Sequence, residues 1–178
     1  MLFASTLAVW LATARPAHAE TPLRERVLNL LSGYEDTPSA DALHGLGDGV
    51  DLALMDIAKD PAAGRSRRSN AVWSLGFFPT DASRAFLLST VTDAAADSQL
   101  RRSATWALCN GWGDAALADV KPALESSDEQ LRNQAVRAVA KVGSPAARAI
   151  LQERLASDGS AMVRATITTS LSGMPEVK

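Results

Sequence analysis

Side chains that could carry catalysis are few and lie far apart in the sequence. His18 and His44 are the only histidines of the 178 residues, and Cys109 is the only cysteine. A cysteine nucleophile needs a nearby base, and a metal site needs several converging ligands. The glycines between Gly45 and Gly49 follow no strand pattern and lack the rest of a dinucleotide-binding fingerprint. We therefore expect no enzyme activity, no cofactor and no metal site, and we expect Cys109 to be a partly buried thiol.

Tryptophan and arginine recur at a regular spacing that favours binding instead. One column of positions repeats at intervals of 33, 31 and 32 residues and holds Trp73, Trp106, Arg137 and Thr169. Both residue types are enriched at binding hot spots, because each offers a large contact area with directed hydrogen bonds. On a helix, Trp106 lies roughly 200° from Ala104, the centre of an apolar stripe. The column predicts a partner-binding surface flanked by Arg102 and Asn133, although tryptophans that fold over a neighbouring helix to fill space stay an open alternative.

The elements that carry this column repeat along the chain. Four blocks begin with an arginine, at Arg68, Arg101, Arg132 and Arg164, and an alanine or isoleucine follows three residues later. An acidic residue precedes each of the last three blocks, at Asp97, Asp128 and Asp158. A period of this length is typical of arrays of stacked supersecondary units. We interpret the arginines and acids as a structural ladder, in which each arginine reaches an acid or an open carbonyl of the preceding repeat.

Each repeat is predicted to be a pair of helices. Hydroxyl and acidic residues stand at the expected helix starts, and glycines such as Gly76, Gly111 and Gly143 stand where left-handed ends are expected. First helices are predicted over 22–31, 48–59, 81–92, 115–125 and 145–156. Second helices are predicted over 39–46, 65–75, 98–109, 128–142 and 161–171. Because no stretch sustains a strand pattern, we expect an all-α fold.

The repeated pattern resembles a known family. An acid, then Leu or Val with Arg, then Ala and small apolar residues near a Gly, about every 32 residues, is similar to the HEAT repeats of the short bacterial kind called PBS-lyase HEAT-like repeats. Pro122 fits as well, because this family commonly bends the first helix of a pair with a proline. The resemblance covers 48–173 and leaves 20–47 as a degenerate N-terminal hairpin. It implies an α-solenoid, an armadillo or HEAT-like superhelix of about five helical hairpins, whose second helices line a concave face.

The residues and the resemblance together leave two alternative functions. The first is an exported scaffold or adaptor that binds a protein or peptide along its concave face, with Trp73, Trp106 and Arg137 in the groove. The second is a role as a chromophore lyase or another enzyme-associated protein, because some relatives with such repeats handle bilins. Export and the scarcity of histidine favour the scaffold.

The leading segment predicts export. Residues 1–14 form an apolar run without charge, and Ala17 and Ala19 fit the small-residue cleavage pattern of a signal peptide. A run of 14 residues is shorter than the roughly 20 needed to span a bilayer. We expect a bacterial signal peptide over 1–19, cleavage after Ala19, a periplasmic or secreted protein, and no membrane insertion after cleavage. Retention of the segment as an anchor stays an open alternative.

Charge and apolar surface bear on the remaining partners. The chain holds 18 Lys and Arg against 20 Asp and Glu, a net charge of −2. This balance is unsuited to neutralising many phosphates, so we expect no nucleic-acid partner. The last second helix has Val163, Ile167 and Leu171 on one face, and only the tail 174–178 follows it. Either this tail or a second copy covers that face, which leaves an end-to-end homodimer open.

Overall fold

The protein is all-helical in the part of the chain that the structure covers. The structure, a computed structural model, describes residues 21–32 and 38–175, so the predicted signal peptide lies outside the described residues. The α-helices of these ranges are α1 Leu23–Leu30, α2 Ala40–His44, α3 Val50–Lys59, α4 Arg65–Ser74, α5 Asp81–Thr92, α6 Ser98–Trp112, α7 Lys121–Leu124, α8 Glu129–Val142, α9 Pro145–Ser157 and α10 Ala161–Gly173. Among them, none is both long enough and apolar enough to cross a membrane.

The helices form pairs that stack in two layers. Consecutive helices pack together as α1 with α2, α3 with α4, α5 with α6, α7 with α8, and α9 with α10. The second helices α4, α6, α8 and α10 contact one another in order, and α1, α3, α5 and α7 do the same in the other layer. Because each pair packs mainly on its neighbours, the arrangement is that of a solenoid. The predicted all-α solenoid is confirmed.

Small side chains at the centre of the second helices let these helices approach closely. Ala71, Ala104 and Ala135 are fully buried at equivalent positions of α4, α6 and α8. A Cβ on Gly76 would lie 2.8 Å from the carbonyl oxygen of Ala107, so only glycine fits there. The prediction that Gly76 and Gly111 end helices in the left-handed conformation is wrong, because neither has a positive φ. Both positions serve the contact between α4 and α6, since a Cβ on Gly111 would lie 3.0 Å from the carbonyl oxygen of Gly76.

The first helix of the fourth pair departs most from the prediction. We expected one helix over 115–125, but the chain forms a 3₁₀ turn at Gly113–Ala116 and then the short helix Lys121–Leu124. Pro122 stands in the first turn of that helix. Proline lacks an N–H and its ring clashes with the preceding turn, so a helix can begin at Pro122 but cannot run through it. Trp112, just before the 3₁₀ turn, is the last residue of α6.

The residues after α10 fold back on the last pair. Met174 is buried. The Arg148 guanidinium donates through Nη2 to the carbonyl oxygens of Leu171, Met174 and Pro175, at 3.2, 2.8 and 2.9 Å. The carbonyl of Leu171 lies in the last turn of α10, where carbonyls have no partner within the helix, and the other two bonds hold the residues that follow α10. The end-to-end homodimer stays a prediction.

Candidate functional site

Three consecutive second helices bring the predicted column to one groove. Trp73 lies near the end of α4, Trp106 in α6 and Arg137 in α8, and all three line a cavity of about 580 Å³. We call this cavity the tryptophan groove. Its other lining residues come from α8, from α10 and from the residue after α10, and they are Gln134, Ala140, Lys141, Thr169, Ser170, Gly173 and Met174. The spacing of 33, 31 and 32 residues therefore places side chains from successive pairs around one space.

The two tryptophans are both half-buried, but they are held differently. Trp73 meets Phe77 edge to face, with ring centroids 5.1 Å apart. Trp106 packs against the central core. Its Nε1 is buried and has no hydrogen-bond acceptor in the described part of the chain. Trp106 thus fills space and also lines the groove, so the two interpretations offered by the sequence apply to the same ring.

Two cations on α8 give the groove its charge. Arg137 and Lys141 are exposed and stand four residues apart, so their side chains project from the same face of the helix. Neither has a carboxylate within 4.0 Å among residues 21–32 and 38–175. The groove lining includes no aspartate or glutamate. A partner that enters this groove therefore meets positive charge beside aromatic surface.

Arg102 and Asn133 lie beside the groove and do not line it. Arg102 donates to Oε1 of Gln99 at 2.7 Å. It lines a smaller cleft of about 280 Å³ with Arg65 and Asn70. Asn133 is half-buried, and its Oδ1 has no donor among the described residues. The structure thus gathers three of the five predicted partner-binding residues and places the other two at neighbouring positions.

The arginine ladder binds backbone carbonyls within its own helix pairs. Arg68 and Arg101 donate through Nε to the carbonyl oxygens of Ala58 and Val91, at 2.9 and 3.1 Å. Both acceptors lie at the end of the first helix of the same pair, where carbonyls lack a helical partner. Equivalent bonds to the loop of the same pair run from Arg132 to Ser126 at 2.8 Å and from Arg164 to Asp158 at 2.7 Å. The expectation of carbonyls in the preceding repeat is wrong, because each arginine lies in the first turn of its helix, next to the end of the first helix of its own pair.

The acids of the ladder have two different roles. Asp97 and Asp128 cap α6 and α8, since their carboxylates accept from the backbone N–H groups of Gln99 and Gln130 at 2.7 and 2.9 Å. Asp158 is only 3% exposed and joins two pairs. Its Oδ2 accepts from Arg132 Nε at 3.0 Å and from Arg154 Nη2 at 2.8 Å. Burial alone raises the pKa of Asp158, but the bonds from Arg132, the backbone N–H of Ser160 and Arg154 lower it to about 2.

A comparison with known families identifies the repeat. Residues 88–172 match the family model for HEAT repeats. This chain contains HEAT repeats. The match leaves the finer assignment to the PBS-lyase-like type a prediction. HEAT repeats generally mediate protein–protein interactions. No curated protein matches the chain.

The HEAT-repeat protein also contains ion pairs between repeats that the sequence analysis missed. Arginines pair with acids about one repeat further along the chain: Arg24 with Asp56 at 2.7 Å, Arg65 with Asp97 at 3.0 Å, and Arg84 with Asp119 at 2.8 Å. The partners are separated by 32, 32 and 35 residues. A search for opposite charges at the repeat period would have found them. Because most of these side chains are substantially exposed, each pair contributes little to the free energy of unfolding.

The few candidate catalytic side chains of the HEAT-repeat protein lie apart. Cys109 is buried in α6, and this burial raises the pKa of its thiol to about 12. A thiol protonated at neutral pH is a poor nucleophile. His44 is exposed and contacts the ring of Phe78, with centroids 4.5 Å apart. Within the described residues, no three His, Cys, Asp or Glu side chains are grouped so that they could hold a metal ion.

Proposed function

We propose that this HEAT-repeat protein is an exported scaffold or adaptor that binds a protein or peptide along its second helices. The observation that carries this proposal is the tryptophan groove, where Trp73, Trp106 and Arg137 from three successive pairs meet. A single pair could not form this surface, because each contributes one of the three side chains. Binding, not catalysis, is the role we assign to the chain.

The chemistry of the groove supports a protein partner. Half-buried indole rings retain apolar surface that a partner can cover, and tryptophan and arginine dominate the energies of many interfaces. Arg137 and Lys141 also keep donors free for a partner's acceptors. A cavity of about 580 Å³ is open enough for side chains of an extended segment to enter.

Export is proposed from the sequence of residues 1–19, whose apolar run ends in the Ala17 and Ala19 cleavage pattern. Two measurements test export: fractionation of the producing cells, and the mass of the intact protein in each fraction. A mature chain that begins at Glu20 in the periplasm or the medium supports export. A full-length chain in the membrane fraction contradicts cleavage and supports a retained anchor.

Photo-crosslinking tests the binding surface directly. A photoreactive amino acid replaces Thr169, which is exposed in the groove. In the matched control it replaces Leu52, which is 62% exposed on α3, in the layer of first helices. We expect a partner to be crosslinked from Thr169 and not from Leu52. Replacement of Trp73, Trp106 and Arg137 by alanine is expected to abolish that product. Groove crosslinks that survive this triple replacement in a folded protein would refute the proposed surface.

A further inference from the structure

The charge of the tryptophan groove is opposite to that of the whole chain. Acids outnumber bases overall, 20 against 18. The tryptophan groove nevertheless holds Arg137 and Lys141 and no acid. The neighbouring cleft between α4 and α6 adds Arg102, whereas Arg65 in the same cleft is paired with Asp97 at 3.0 Å. An occupant of the tryptophan groove therefore meets a net positive charge, although the chain as a whole is acidic.

Two donors of the groove point in the same chemical direction. The Arg137 guanidinium and the Lys141 ammonium are exposed and have no carboxylate within 4.0 Å among residues 21–32 and 38–175. Both groups seek acceptors such as carboxylate or carbonyl oxygens. The Nε1 of Trp106 also lacks an acceptor in this part of the chain, but it is buried and therefore closed to an occupant of the groove.

We infer that the occupant of the groove is an extended acidic peptide segment of another protein, with an aromatic or aliphatic side chain on the tryptophans and carboxylates on Arg137 and Lys141. This inference rests on the proposed function and adds the chemistry of the partner. Side chains four residues apart on a helix lie about 5 to 6 Å from each other, whereas alternate residues of an extended peptide lie about 7 Å apart on one face. Two acids separated by one residue therefore match the two cations of α8.

The distance from the cations of α8 to the tryptophans sets the spacing between the acids and the apolar side chain of the partner. Neighbouring packed helices lie about 8 to 10 Å apart, which an extended peptide covers in about three residues. The apolar side chain of the partner is therefore expected about three residues from the acidic pair. A nucleic acid fits less well, because only two cations without an acidic partner line the groove and the chain is net acidic.

Fluorescence anisotropy with labelled peptide pools tests this inference. The first pool contains acidic peptides of about 12 residues with Phe or Leu, which span about 40 Å when extended. In the second pool Lys replaces every acid, and in the third Ser replaces every Phe and Leu. An oligothymidylate of about the same length serves as the nucleic-acid probe. We expect the first pool to bind most tightly and to weaken as salt rises from about 0.05 to 0.5 M, because screening reduces the attraction of exposed charges.

Charge reversal is expected to produce a gain of binding, which an unfolded variant could not show. In Arg137→Glu with Lys141→Glu, we expect affinity for the acidic pool to fall roughly tenfold to a hundredfold and the basic pool to bind instead. A gain of binding requires a folded protein. The matched control Lys121→Glu changes an exposed cation on α7, in the other layer, and is expected to leave both affinities unchanged. Trp73→Ala is expected to weaken the acidic pool and to remove its preference over the third pool.

The outcomes separate the inference from the proposed function. Preferential binding of the basic pool or of the oligothymidylate by the unaltered protein overturns the acidic partner. If no pool binds while the photoreactive group at Thr169 still captures a partner, the inference is wrong and the binding surface stands. If the groove also fails to crosslink, both are wrong. Binding of the first pool with reversal by the double substitution supports the inference.

Discussion

Replacement of Asp158 by asparagine tests the node that joins the last two helix pairs. The Asp158 carboxylate accepts hydrogen bonds from Arg132, Arg154 and the backbone N–H of Ser160. Its side chain is fully buried, and those of Arg132 and Arg154 are 12% and 21% exposed. Asparagine has nearly the same shape and carries no charge. Asp158→Asn therefore leaves two guanidinium groups facing a neutral amide, which we expect to cost about 2 to 4 kcal/mol at neutral pH.

The pKa of Asp158 sets the pH dependence of this contribution. The pKa is about 2 in the folded protein, against an ordinary value of 3.8. One pKa unit corresponds to about 1.4 kcal/mol, so ionised Asp158 adds about 2 kcal/mol to the free energy of unfolding at neutral pH. Because the folded pKa is depressed, this stabilisation is complete above about pH 5 and is lost as the pH falls through about 4 toward 2.

Urea unfolding followed by circular dichroism at several pH values between 7 and about 2.5 measures both effects. We expect the stability difference between the native protein and Asp158→Asn to shrink as the pH falls below about 4. Asp128→Asn is the matched control, because asparagine also caps helices and Asp128 makes no ion pair in the described residues. A stability difference between the native protein and Asp158→Asn that stays constant down to about pH 2.5 would refute a stabilising role for the charge of Asp158.

Three further substitutions or reactions test the packing. Leu131 is fully buried in α8, so Leu131→Asp should lower the free energy of unfolding by about 3 to 5 kcal/mol through an unpaired buried charge. An unchanged melting curve would contradict the placement of Leu131 on the buried face of α8. Gly76→Ala should cost about 1 to 3 kcal/mol in urea unfolding, because the new Cβ meets Ala107 backbone, whereas the control Gly159→Ala meets nothing within 4 Å. Equal effects of the two would count against close approach of α4 and α6. Cys109 should react with a thiol reagent only after unfolding, since its thiol is buried with a pKa near 12; rapid reaction of the native protein would oppose this.

The repeat period made the second helices and their column predictable. A period of about 32 residues fixes which positions are equivalent, so one helix wheel applies to every pair. The buried alanines at 71, 104 and 135 and the common surface of the tryptophans at 73 and 106 followed from that wheel, whereas the extent of tryptophan burial did not. Equivalent positions in successive repeats did not show which of two neighbouring clefts each side chain would line. Arg102 therefore came to lie in the neighbouring cleft, although it stands only one turn before Trp106.

Features that depend on contact between two particular segments were not predictable from the period. The sequence shows four arginines in register, but it does not show which carbonyl lies open beside each one. Gly111 looked like a helix end, whereas α6 continues through it, and the glycine leaves room for the carbonyl oxygen of Gly76, which would lie 3.0 Å from a Cβ there. Pro122 was expected to bend a helix and instead stands in the first turn of one. In each case the local pattern is compatible with two structures, and packing selects one of them.

Trp106 shows how the demands of stacking and of binding differ at one position. Stacking requires apolar area, which phenylalanine would supply with no donor to satisfy. The indole brings an N–H that is buried without an acceptor in the described residues, and such a donor costs stability. Trp73, one repeat earlier, leaves its ring half-exposed on the same groove, and Arg137, one repeat later, is exposed. A column chosen only for packing would have no reason to place an exposed arginine beside two tryptophans in successive repeats, whereas a surface that receives a partner would.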